Sequence, residues 1–275
     1  HELEGFLRSA ESPQVKKLRA VIVPHAGYSY SGPTAAYAYK AVTQELEQPE
    51  SPISQILVLH PSHHLYLSGQ CAVSNAKTLD TPIARLHVDD ELRSEILGLS
   101  KRFTLMSKND DEAEHSGEMQ YPYLALCLQK TNKLDSVTVT PVMCGSLNIE
   151  DEATFGSLLG DIMSRPNVLV VVSTDFCHWG QRFSYQPTDE KVPVHTFIEA
   201  MDRRGMDLIA SQKPGAFADY LKDTRNTICG RHAVAVWLQG SEKSSVEFVR
   251  YAQSSPALTK DDSSVSYAAA VATSS

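Results

Sequence analysis

The 275-residue sequence predicts a layered α/β fold around a largely parallel sheet. Three observations lead there. Val168-Leu169-Val170-Val171-Val172 is an unbroken apolar, mostly β-branched run, the pattern of a strand buried on both faces. Leu18 to Val23 and Ile53 to Leu59 are similar short runs, and the first is followed by a segment of helical composition. Strands that alternate with helical stretches make βαβ units, and such units make parallel sheets.

In order along the chain, a short amphipathic helix is expected around Leu3 to Leu7, within Glu2 to Lys17. The strand Leu18 to Val23 ends at Pro24, and His25 to Tyr28 forms a turn. Ser31-Gly32-Pro33 reads as a helix start, because proline is tolerated in the first turn, with the helix running to about Gln44. Ile53 to Leu59 is a strand ending in the turn His60-Pro61-Ser62-His63-His64. Gln70 to Val73 is strand-like, Asp80-Thr81-Pro82 a loop, and Asp89 to Leu99 a helix. The acidic stretch Asp110 to Glu118 leads into a helix over Tyr123 to Gln129. Val137 to Gly145 is a strand, and Phe155, Leu158, Leu159 and Ile162 place one apolar face on a helix over Asp151 to Met163. After the strand at Val168 come a polar loop, helices over Val194 to Ile209, Pro214 to Leu221 and Ala233 to Leu238, and strands over Val246 to Tyr251 and Ser264 to Val271.

No repeat, low-complexity tract or linker divides the chain, so one domain over residues 1–275 is expected. Hydrophobic residues make up 42% and charged residues 21% of it. The net charge of −8 argues against a nucleic-acid-binding surface. No apolar run approaches the roughly 20 residues of a membrane span. Five widely spaced cysteines without a CxxC suit a reducing compartment. No signal peptide is visible at His1. The expected location is the cytoplasm, and also the nucleus.

Chemistry concentrates where strands end. His25, the His60/His63/His64 group and His178 each follow a strand, and parallel strands would bring those turns to one edge of the sheet. Imidazoles gathered with a thiol and carboxylates are what Fe, Cu or Zn require. Alone, each has a plainer reading. His25 would be a turn histidine and His60 a packing residue, while His63 and His64 face opposite sides of an extended segment. Asp175 would cap the next element, and His115 with Glu118 would be a solvated helix end sharing one face. Cys229, just before Gly230 at a helix start, is expected to gain thiolate character from the helix dipole. No GxGxxG, P-loop, GxSxG or HExxH is present.

Longer segments carry a resemblance. Pro24-His25-Ala26-Gly27-Tyr28, Pro61-Ser62-His63-His64, Glu114-His115-Ser116-x-Glu118, Ser173-x-Asp175-Phe176-Cys177-His178-Trp179-Gly180 and Thr227-Ile228-Cys229-Gly230-Arg231-His232 resemble the Memo family, the mediator of cell motility proteins. So do Tyr251 to Ser255 and Asp262 to Ala269. The family's Trp-containing N-terminal motif is expected ahead of residue 1.

The resemblance implies a three-layer α/β/α sandwich around a mostly parallel or mixed sheet, similar to the class III extradiol dioxygenases, which use non-haem Fe(II). It implies that His25 and His63 match two metal-binding histidines, and that Cys229 stands where the dioxygenases have a glutamate ligand. His178, oriented by Asp175, would move protons, and His115 and Glu118 would line the same pocket. A thiolate in place of a carboxylate softens the site toward copper and opens it to oxidation at sulfur. Two functions follow from the resemblance. One is a redox-associated metalloprotein holding Fe(II) or Cu with a small ligand such as dioxygen. The other is an adaptor in motility signalling whose pocket takes phosphotyrosine-containing peptides.

Overall fold

The computed structural model describes residues 2–13 and 15–274. Helix α1 (Glu2–Ser9) precedes β1 (Leu18–Val23), and α2 (Tyr28–Glu47) leads to β2 (Gln55–Pro61). The short strands β3 (Cys71–Val73), β4 (Thr78–Asp80) and β5 (Arg85–His87) follow, then α3 (Asp90–Leu99) and β6 (Phe103–Leu105). Two short helices, α4 (Lys108–Ala113) and α5 (His115–Glu118), lead into α6 (Tyr121–Lys130) and β7 (Thr138–Cys144). Then come α7 (Ile149–Met163), β8 (Val168–Ser173), β9 (His178–Gly180), α8 (Val194–Ala210), α9 (Pro214–Thr224), α10 (Arg231–Gly240), β10 (Ser245–Gln253) and β11 (Ser263–Thr273).

Among the described residues, nine strands form one mixed sheet in the order β10-β11-β1-β8-β2-β7-β3-β6, with β9 pairing β11 off this path. Its centre is parallel: β1 with β8, β8 with β2, and β2 with β7. β10 and β11 extend it antiparallel on one side, and β3 pairs antiparallel with β7 on the other.

Strand periodicity divides the core in two. Val168, Val170 and Val172 of β8 pack with α3, α7, α8, α9 and α10, while Leu169 and Val171 pack with α1, α2 and α6. Leu57 and Leu59 of β2 join the first cluster, Ile56 and Val58 the second. A strand with helices on both faces needs apolar residues at every position, which is why these runs do not alternate. The result is an α/β/α sandwich. Among the described residues, no helix is long and apolar enough to cross a membrane.

Two expectations are corrected and one is refined. Helix α2 begins at Tyr28, so Pro33 lies inside it rather than at its start. The carbonyl four residues earlier belongs to the exposed Ser29, where solvent takes the place of the missing N–H. The loop around Thr81-Pro82 is the turn of a small hairpin, β4 with β5, closed by Thr81 Oγ1, which donates to the Ala84 carbonyl at 2.7 Å. The segment after β8 is not all loop either, for His178–Gly180 is a strand paired with Ser263–Val265 of β11.

One buried acid anchors the segment that precedes Cys229. Asp202 of α8 is fully buried, and its Oδ1 accepts from Asn226 Nδ2 at 2.8 Å while Oδ2 accepts from the Tyr251 hydroxyl at 2.9 Å. Burial pushes its pKa from 3.8 up to about 6 against the hydrogen bonds from Ser266, Asn226 and Tyr251. A carboxyl whose native pKa is raised stabilises the fold while protonated, and that contribution is lost as pH climbs from about 4 through about 6. A rise of about two units corresponds to about 3 kcal/mol. Asp202→Asn, uncharged throughout, should flatten the pH profile of urea-denaturation stability over that window by about this amount. A slope equal to that of the unsubstituted protein removes the assignment.

Candidate metal centre

Strand register brings the site together. Val23 pairs with Ser173 and Leu59 with Val172, so the turns after β1, β8 and β2 leave the sheet side by side at its carboxyl edge. Asp175 fastens two of them together: the His25 backbone N–H donates to Asp175 Oδ1 at 2.8 Å. Cys229 arrives from far along the chain because Gly230 lies flat against the end of β8. A Cβ on Gly230 would sit 2.4 Å from the Ser173 carbonyl oxygen, so a side chain there would push α10 away. The Gly230 N–H donates to Thr174 Oγ1 at 2.9 Å.

Hydrogen-bond arithmetic sets the state of His25. The Ser173 hydroxyl donates its one proton to the Ser116 carbonyl at 2.7 Å and accepts from Gln120 Nε2 at 2.9 Å. Its 2.9 Å contact with His25 Nδ1 therefore has the imidazole as donor. A neutral His25 then carries its lone pair on Nε2, which faces Cys229 Sγ at 3.2 Å and Asp175 Oδ2 at 3.9 Å. Burial, together with His63 and His115, holds its pKa well below the ordinary range.

His63 is arranged in the same way by a different partner. Its Nδ1 lies 2.7 Å from Glu114 Oε1, and its backbone N–H donates to Oε2 at 2.6 Å. Burial opposes ionisation of Glu114. The donors on His63, with the Ser116 N–H, outweigh it and hold the acid far below the usual carboxylate range. A carboxylate only accepts, so Nδ1 of His63 carries a proton, and in the neutral ring the lone pair is on Nε2.

His178 follows suit, its Nδ1 lying 2.9 Å from the Phe176 carbonyl and 3.0 Å from that of Thr227. Two acceptors at one nitrogen place the proton there and leave Nε2 basic. The expected orientation of His178 by Asp175 is thus corrected: backbone carbonyls hold the ring, while Asp175 secures the turn after β1. Burial raises the Asp175 pKa, opposed by amide hydrogen bonds from His25 and Ala26.

Cys229 also departs from expectation. It sits before the N-terminus of α10, yet burial first and the neighbouring Asp175 second push its thiol well above its ordinary pKa. The dipole loses to desolvation, and the thiol keeps its proton, aimed at His25 Nε2. A cation in that place would displace the proton.

His115 and Glu118 part company. The His115 ring stacks on His63, with centroids 4.6 Å apart, and meets His25 edge-on at 5.5 Å. Glu118 instead lines a separate cleft of about 650 Å³ with Lys108, Asp111 and Tyr121. Among the described residues, two groups of donor atoms each lie within 4.8 Å of one another, His25 with His63 and His115, and His25 with Asp175 and Cys229. Glu114, Ser173, Ser116 and Gln120 escaped the sequence reading as site residues. Glu114 had one signal, a carboxylate directly beside His115, but it stands in a run of acids and only burial separates it from Asp110 and Glu112.

The family model described as Memo-like protein matches residues 1–271. In sequence the chain is similar to human Protein MEMO1, 41% identical over 280 residues that cover 99% of this chain and 91% of the human protein. It is also similar to the Protein memo-1 homolog of Caenorhabditis elegans, 40% identical over 280 residues, 98% of this chain and 76% of the nematode protein. In structure it is similar to the uncharacterized protein JW3007 from Escherichia coli K12, with a TM-score of 0.57 at 13% identity, covering 91% of this chain and 99% of that one. At that identity the likeness speaks for the fold alone.

The tautomers are directly observable. Long-range proton–nitrogen NMR spectra at neutral pH should show His25, His63 and His178 as Nδ1–H imidazoles. Ser173→Ala should return His25 alone to a mixture. Nε2–H signals for His25 and His63 in the unsubstituted protein would refute the hydrogen-bond arithmetic.

Proposed function

The chain belongs to the Memo family, and from that premise we propose that it is a redox-associated metalloprotein whose His25, His63 and Cys229 hold Fe(II) or copper. The observation that carries this reading is the pair of engaged Nδ1 atoms. Ser173 and Glu114 engage Nδ1 of the His25 and His63 rings and leave each Nε2 as the atom available to an ion, and fixing one ring nitrogen by hydrogen bond is how proteins prepare the other as a ligand. The donor set fits the group: imidazole nitrogens and a thiol suit Fe(II) and copper, whereas magnesium or calcium would take oxygen donors.

A redox-active ion bound there supplies one-electron chemistry and a position for a small ligand such as dioxygen. The chain's own contributions follow from the geometry. Asp175 holds the His25 turn in place from within the core, and its amide donates to Cys229 Sγ at 3.3 Å, which steadies the sulfur. His178, locked by two carbonyls, offers Nε2 as the atom that takes or returns a proton. The short helix α5 brings Ser116 against Ser173 and so carries its order into the site.

The adaptor reading has less support. A phosphotyrosine phosphate entering here would meet the carboxylates of Glu114 and Asp175, and among the described residues no Lys or Arg side chain hydrogen-bonds to the histidine cluster.

Protein purified without added metal should carry iron or copper, measured by elemental analysis. His63→Ala and Cys229→Ser should each lose most of it. Glu114→Gln, which keeps a ring acceptor but removes the charge, should weaken affinity by about 10- to 100-fold. Unchanged metal content in both His63→Ala and Cys229→Ser sinks the proposal.

A further inference from the structure

We propose that His115 is an additional protein ligand of this centre, making a three-imidazole face opposite the Cys229 thiol; the inference rests on the metal reading above. Its ground is the spacing of the rings. With an ion about 2.1 Å from each imidazole nitrogen, three rings on one tetrahedral ion have centroids roughly 5 Å apart. The centroids stand 5.3 Å apart for His25 and His63, 5.5 Å for His25 and His115, and 4.6 Å for His63 and His115. A donor atom from each of the three lies within 4.8 Å of the other two.

Local structure explains why His115 turns inward. Glu114 caps α5 by accepting the Ser116 N–H while its two oxygens hold His63, so the residue after the cap is delivered against the His63 ring. Glu118, at the other end of this single turn, faces the separate cleft. Glu114 Oε1 is 3.7 Å from His115 Nδ1, beyond hydrogen-bond length, so that carboxylate does not account for the ring's position. Three imidazoles sharing a small space repel one another when protonated and are drawn together by a common cation. Joined through His25, whose Nε2 lies 3.2 Å from the Cys229 sulfur, they offer a nitrogen-rich set for a borderline or soft cation, Co(II), Zn(II) or copper.

Co(II) is the probe. Titrated into the intact protein, it should give the strong visible bands of four-coordinate Co(II) together with a sulfur-to-cobalt charge-transfer band. His115 is 47% exposed at its side chain, so its removal leaves the fold in place. His115→Ala should bind Co(II) at least tenfold more weakly and lose the four-coordinate band intensity while keeping the sulfur band. His64→Ala, an exposed imidazole whose ring is 6.2 Å from that of His115, should change neither. Unaltered affinity and spectrum in His115→Ala, alongside lost binding in His63→Ala, overturn the role of His115 alone. Unaltered binding in His63→Ala and Cys229→Ser overturns the metal reading and this inference with it.

Discussion

The bond from the His25 amide to the Asp175 carboxylate, 2.8 Å long and buried, is the constraint on which the candidate centre depends. It joins the turns after β1 and β8, two strands already locked in parallel register, and so converts a backbone alignment into a side-chain one. A buried carboxylate is costly unless its oxygens are satisfied. Here they meet the backbone amides of His25 and Ala26, which therefore cannot move without exposing the charge. Cys229 joins the same arrangement through the Asp175 amide and through Gly230, whose missing side chain lets α10 begin in contact with β8.

Around that clamp, one principle is applied three times with three kinds of acceptor. A serine hydroxyl, a carboxylate and a pair of backbone carbonyls each engage an imidazole Nδ1, at His25, His63 and His178 respectively. Each acceptor determines the tautomer and leaves Nε2 as the basic atom. The Ser116–Ser173–Gln120 network matters because a hydroxyl has one proton to give, and spending it on the Ser116 carbonyl forces every other partner to donate. Electrostatics agree with this arrangement. His25 and His115 are kept neutral by burial and by the neighbouring His63, and Cys229 keeps its proton because of burial and the nearby Asp175.

The main strands and the layered architecture were legible in the sequence because they depend on local pattern, whereas the strand order was not. A run such as Val168 to Val172 can only be buried on both faces, and His25, His63 and His178 declare themselves by following strands. The long motifs carried the family as well. Legibility failed where a property depends on distant neighbours. Glu114 looks like its acidic neighbours until α5 turns it under His63. Cys229 looks activated by its helix until burial and Asp175 are counted. Asp175 and His178 look like a pair from their spacing, yet they serve different partners.

By itself the sequence determined the main strands and helices, which strands lie in the core, and which residue types reach the carboxyl edge of the sheet, since periodicity and turn chemistry act within a few residues. Only the tertiary structure decided which imidazoles meet, which nitrogen of each is free, and that His115 and Glu118 face different spaces. Those outcomes turn on hydrogen-bond partners 51 to 204 positions away in sequence, such as His63 with Glu114, His25 with Ser173 and His25 with Cys229, and on the desolvation that packing imposes on the site.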